Sequence, residues 1–170
     1  TSGWLSSWYQ ELPVVSDNQE LINGYVITGY KEIIDDMIIS TGLYTRTVNS
    51  LSNDDVRASK RLYAPSSRLR GFESGKVGPK DNLDFIGDNY ASATSVSTTL
   101  PTLLPELESI DFNIFLDAGN VWGVDYNSSL DNSKIRSSTG ISIDWLTPVG
   151  PLNFVLAKPI TKADTDVEQG

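Results

Sequence analysis

Residues 111–123, DFNIFLDAGNVWG, decide the fold class. Successive side chains of an extended strand point to opposite faces, so Phe112, Ile114, Leu116, Ala118 and Trp122 share one face, with Asp111, Asn113, Asp117 and Gly119 on the other. One side is apolar and the other polar. Residues 136–147 repeat this, placing Ile141, Ile143 and Trp145 opposite Arg136, Ser138, Ser142 and Asp144. In 151–160, Leu152, Phe154 and Leu156 share a side. Pro148-Val149-Gly150-Pro151 between these segments predicts a tight hairpin turn, with proline fixing φ and glycine supplying positive φ.

Working outward, residues 92–101 (SATSVSTTLP) are also strand-like, and Ile39, Thr41 and Leu43 alternate with Ser40, Gly42 and Tyr44. Gly24 to Tyr30 and Trp4 to Leu12 alternate more weakly. No stretch carries a helical apolar period, so the chain reads as all-β. No apolar run approaches the length of a membrane-spanning helix. A membrane protein of this composition must be an antiparallel transmembrane β-barrel, whose strands carry their apolar residues at every second position. The turns support that form. Short ones at Asp35-Asp36 and 148–151 alternate with long polar ones at about 65–89 and 124–135, and Trp122, Tyr126 and Trp145 suit an interfacial aromatic girdle.

Composition removes whole classes of chemistry. The chain of 170 residues has neither cysteine nor histidine, which excludes disulfide scaffolds, Cys/His metal sites and Ser-His-Asp or Cys-His catalysis. No cofactor is implied. A net charge of −9 with scattered basic residues speaks against a nucleic-acid partner.

The stretch Ala64 to Asn89 is rich in glycine and proline and too long for an ordinary hairpin connection. Within it, Leu69-Arg70-Gly71-Phe72 joins a cation to a flexible backbone position and an apolar anchor. Asp117 and Asp144 lie on the polar faces of downstream strands, which in a barrel face the lumen, where a planar guanidinium gains most from a bidentate acid. Arg70 with Asp117 is therefore the expected central pair of a loop clamp, and Asp144 a candidate second acid. From spacing alone, a solvated Arg70 and ordinary polar-face aspartates fit as well. Asp111 and Arg136 read as unspecialised lumen-lining charges.

The segments RLYAPSSRLRGFESGKVGPK, FLDAGNVWG and KIRSSTGISIDWLTPVGPLNFVLAKPI, with their spacing, resemble the C-terminal half of the BamA-type surface-antigen superfamily of outer-membrane barrel-assembly factors. The likeness covers about 54–169, and the first fifty residues fit two or three preceding strands. LPELESIDFNIFLDAGNVWGVDYN looks particularly like alphaproteobacterial members. By resemblance, Arg70, Gly71 and Phe72 match the family's loop motif, tucked into the barrel lumen, and Asp117 matches its inward aspartate. Many members carry an inward glutamate where this chain has Ser97, which leaves the clamp's second acid open.

Family barrels have about sixteen strands, of which roughly seven are expected here. The chain thus reads as one part, residues 1–170, of a barrel in the bacterial outer membrane, ending before the closing strand. The resemblance implies folding and insertion of β-barrel precursors, with outer-membrane lipids, unfolded precursors and accessory lipoproteins as partners, and no enzymatic chemistry. Secretion of a partner polypeptide or autotransporter maturation within the same superfamily is the alternative. A soluble all-β module is a third reading, and it requires Ile114, Leu116, Ile143 and Phe154 to enter a dry core. An enzyme would have to pair Asp111, Asp117 and Asp144 as acid and base, and no second motif gathers them.

Overall fold

The computed structural model describes residues 1–13, 19–34, 36–101, 109–132 and 134–170. Its strands are β1 (Ser2–Glu11), β2 (Glu20–Ile34), β3 (Met37–Ser50), β4 (Lys80–Asp81), β5 (Asp84–Phe85), β6 (Tyr90–Thr99), β7 (Ile110–Trp122), β8 (Arg136–Thr147) and β9 (Gly150–Thr161). All but β4 and β5 form one antiparallel seven-stranded sheet in the order β1-β2-β3-β6-β7-β8-β9, each long strand pairing with the next in sequence. β4 and β5 make a small ribbon within the long connection between β3 and β6. At 10 to 15 residues, the long strands suffice to cross a bilayer at the usual tilt.

Turn chemistry separates the two ends of the sheet. At one end β2 turns into β3 through residues 35–36, where Asp36 takes a left-handed φ of 64° and Asp35 lies outside the described residues. β8 turns into β9 there through Pro148-Val149, and Gly150, at φ 132°, already opens β9. The connections 51–89 and 123–135 leave from the opposite end, and so does the tail 162–170.

The two faces differ as the alternation predicts. Ile114, Leu116 and Phe154 are 45%, 50% and 52% exposed on one face, and Ile143 is half-buried, which removes the dry-core reading. The other face lies under the β3–β6 connection. There Ile22, Val48, Ala91 and Val121 of the strands pack with Val56, Leu62, Ala64, Leu69, Phe72 and Val77 of the loop into one apolar cluster. The connection leaves β3 at residue 51 and is packed from Val56 onward, earlier than the expected 65, with Val56, Leu62 and Ala64 buried in this cluster. The covered face is therefore not uniformly polar: Phe115 and Val121 of β7 are buried on the same side as Asp117.

Trp122 and Trp145 remain part-exposed on their strands. Tyr126 does not join them. It belongs to the 123–135 loop, where its ring lies 4.9 Å from the Arg61 guanidinium and its hydroxyl donates to Asp81 at 3.1 Å. Three further aromatics the weak alternation obscured, Trp4, Trp8 and Tyr25, are exposed on the outer face of β1 and β2, and Tyr9 and Tyr30 are exposed on the inner one.

Candidate functional site

The loop enters the sheet through a turn at Pro65, whose carbonyl accepts from the N–H groups of Arg68 (2.9 Å) and Leu69 (3.1 Å). Leu69 and Phe72, each 1% exposed, drive into the apolar cluster on either side of Arg70 and Gly71. Gly71 is needed twice over. Its φ is 89°, and a Cβ there would stand 3.1 Å from the Ala157 methyl and 3.5 Å from Pro159 Cδ on β9. With both neighbours anchored, Arg70 has one direction left, toward β7.

Arg70 meets Asp117 with three donors. Nε donates to Oδ2 at 2.7 Å, Nη2 to Oδ1 at 2.7 Å, and the backbone N–H to Oδ2 at 3.1 Å. Asp117 is fully buried, and the Arg70 side chain keeps 22% exposure. A two-pronged guanidinium–carboxylate contact fixes orientation as well as charge. The guanidinium carbon also stacks 3.5 Å from the Phe115 ring centroid. Asp117 sits in register between Ser95 on β6 and Ser138 on β8, and Phe115 between Ser97 and Gly140. Gly140 makes room for the ring, since a Cβ there would lie 2.7 Å from Phe115 Cζ and 2.1 Å from the Leu156 carbonyl oxygen.

Asp144 does not belong to this site. It is opposite Asp111, six positions along the β7–β8 ladder from the Asp117–Ser138 pair, or roughly 20 Å at strand spacing. Its carboxylate accepts instead from the amides of Asn113 (2.8 Å) and Asn153 (2.5 Å), and Thr99 donates to Asn113 at 2.6 Å, so a polar ladder crosses β6 to β9 near the short-turn end. Sharing a face with Asp117 was legible; the register that separates them was not. At Ser97, a recess of about 210 Å³ is lined by Ser95, Ser97 and the loop's Arg68, whose guanidinium also lies 5.9 Å from the Tyr44 ring.

Further ion pairs hold the loops. Arg136, read from the sequence as an ordinary lining charge, is fully buried against Asp166 of the tail at 2.9 Å. Arg61 pairs with Asp125, whose carboxylate also accepts from the Val56 N–H (2.7 Å) and the Asn89 amide (3.1 Å). Arg57 holds Glu20 by Nε at 2.7 Å and Nη2 at 2.6 Å. Asp88 is fully buried, and among the described residues neither carboxylate oxygen has a hydrogen-bond partner. Burial, with repulsion from Asp131, pushes its pKa up to about 7 against the opposing pull of Arg136 and Arg61. These ion pairs join residues 30 to 64 positions apart, and no local spacing announces them.

A covered inner wall, an apolar outer face and a loop arginine locked to a strand acid define the pattern to be matched. The model of the Omp85 superfamily domain matches residues 1–170. The chain belongs to the Omp85 superfamily. The crystal structure of BamA from Haemophilus ducreyi lacking POTRA domains 1–3 superposes on 99% of the chain with a TM-score of 0.84 and 26% identity, over 37% of its own length. The outer membrane protein assembly factor BamA of Neorickettsia risticii is 24% identical over 81% of the chain, in keeping with the alphaproteobacterial look of the 104–127 stretch. BamA of Neisseria meningitidis serogroup B is 28% identical over 58%, and a SAM50-like protein of Schizosaccharomyces pombe 31% over 71%. The chain spans 19% and 16% of the two BamA sequences and 27% of the SAM50-like one. This Omp85 chain is thus part of an outer-membrane β-barrel wall.

Proposed function

We propose that this segment is the loop-bearing wall of an assembly factor that folds and inserts β-barrel precursors into the bacterial outer membrane, and that Arg70 and Asp117 clamp the loop inside the lumen. The three-donor contact between loop and wall is the observation that carries the reading. A fully buried acid opposite a single loop arginine acts as a catch, because removing the arginine strands the acid in a poorly solvated place. The clamp does its work without covalent chemistry: it holds the wall and the loop in one shape while the precursor is handled elsewhere in the full-length protein. Unfolded precursors, outer-membrane lipids and accessory assembly lipoproteins are the partners this role requires. The relatives named as BamA and SAM50-like favour assembly over secretion of a partner polypeptide.

The test is Arg70→Ala in the full-length protein. The expected result is slower insertion of precursor barrels and an altered heat-modifiable gel shift. Normal assembly together with an unchanged gel shift refutes the clamp.

A further inference from the structure

Beyond the clamp, a second catch grips the same stretch of loop from the other side. After β9 the tail turns back along the distal half of the loop. Glu73 N–H donates to the Val167 carbonyl (2.9 Å), Val167 N–H to Lys76 (3.0 Å) and Gln169 N–H to Gly71 (3.0 Å), which makes Phe72 and Glu168 an antiparallel bridge. Thr165 Oγ1 donates to the Gly78 carbonyl at 3.0 Å. The tail is a strap lying over the loop.

What fixes the strap is Asp166. One carboxylate oxygen accepts from the Gly78 N–H at 3.1 Å and Arg136 Nη2 at 3.1 Å, the other from Arg136 Nε at 2.9 Å and the Ala163 N–H at 2.7 Å. The Arg136 and Asp166 side chains are both fully buried. The remaining Arg136 nitrogen donates to the Lys134 carbonyl at 3.0 Å and to Asn120 on β7. The two catches are reciprocal. In one the loop brings a cation to a strand acid; in the other the tail brings an acid to a strand cation, and Gly71 to Gly78 lie between them.

We infer that Arg136 is a positioning residue for the Arg70-Gly71-Phe72 motif. It acts through Asp166, which fixes the strap whose backbone holds Gly71 to Lys76 against the wall. The conformation of the chain leaving β9 is thereby coupled to the seating of the motif: displacing the strap takes hydrogen bonds from Gly71, Glu73, Lys76 and Gly78 while leaving the Arg70–Asp117 contact formally intact. That the seating matters for precursor insertion rests on the clamp reading above.

The experiment uses the full-length protein in a cysteine-free background, with spin labels at Ser74 on the loop and Lys158 on β9, both exposed. In the parent the label-to-label distance distribution is narrow. Asp166→Asn is expected to spread it into several distances and to slow precursor insertion several-fold, with the heat-modifiable barrel retained. Arg136→Lys, which keeps the charge but loses the two-pronged geometry, is expected to give an intermediate spread and supplies the same readout if Asp166→Asn does not fold. A distribution as narrow in these variants as in the parent overturns the inference, whatever happens to insertion. A spread distribution with normal insertion, in these variants and in Arg70→Ala alike, supports the positioning and sinks the clamp's role in assembly instead.

Discussion

At the scale of single residues, the wall–loop contact is asymmetric, and the asymmetry predicts which substitution hurts more. Arg70→Ala leaves the Asp117 carboxylate fully buried without its cation, a loss of about 3–5 kcal/mol by the precedent of broken buried pairs. Asp117→Asn leaves a neutral amide and an arginine that already reaches solvent. Loop docking is therefore expected to weaken more in Arg70→Ala than in Asp117→Asn, with the double variant recovering part of the difference. Protease cleavage within 51–89 measures this, and equal cleavage in all three contradicts it. Asp88 gives a second prediction at this scale. With its pKa raised to about 7 by burial, the docked loop binds a proton that a released loop, with an ordinary aspartate near 4, does not. Docking is favoured at mildly acidic pH and loosens as pH rises through that window, then stays level above it. Asp88→Asn is expected to abolish the dependence and to dock more tightly at pH 8, read by hydrogen exchange of the loop amides. A profile unchanged by the substitution would exclude Asp88 as its source.

At the scale of elements, legibility followed the physics of each strand. β7, β8 and β9 stood out because one face meets lipid and the other is mostly polar, so alternation is largely intact within each strand, Phe115 and Val121 of β7 excepted. β1 and β2 were weaker for a reason the single strand cannot show. Trp4 pairs with Gly29 and Tyr30 with Gly3 across the ladder, and each ring lies over the space a glycine side chain would take, with Trp4 Cζ3 2.4 Å from the position of a Gly29 Cβ. Gly29 thus sits on the outer face where alternation calls for an apolar residue, its area supplied by the neighbouring strand, whereas Tyr30 and Gly3 lie on the covered face, where the ring puts an aromatic among polar positions. Gly29→Ala is expected to tip Trp4 off the ladder, costing about 1–3 kcal/mol as overpacking and shifting its fluorescence; an unshifted spectrum would count against the ring's placement. The loop was legible at its motif and nowhere else, because what binds it is set by register and long-range pairs. Asp117 and Asp144 looked equivalent until the β7–β8 ladder placed them six positions apart. The outward face allows a sharper check: Leu116→Arg, in mid-strand, is expected to destabilise the inserted barrel by about 2–4 kcal/mol, and the same change on an exposed loop residue such as Ser74 by far less.

At the scale of the whole molecule, the sheet's two margins decide how this polypeptide behaves by itself. Among the described residues β1 and β9 each pair on one side only, so each carries a row of backbone N–H and C=O groups with no strand partner there. In water those groups are hydrated; in a bilayer each unsatisfied one costs several kcal/mol, far more than the outward Leu and Ile side chains return. The inner loop cannot compensate, because it covers a face and closes neither margin. A polypeptide limited to residues 1–170 is therefore expected to show strand-type circular dichroism in detergent yet give no heat-modifiable monomer after mixing with lipid vesicles, whereas the full-length protein gives one. Two copies that joined margin to margin would migrate as a heat-sensitive dimer, a route by which open edges of this kind are silenced without further strands. A heat-modifiable monomer from 1–170 alone would mean that β1 and β9 find each other, and that seven strands suffice to close a wall whose known match is much longer.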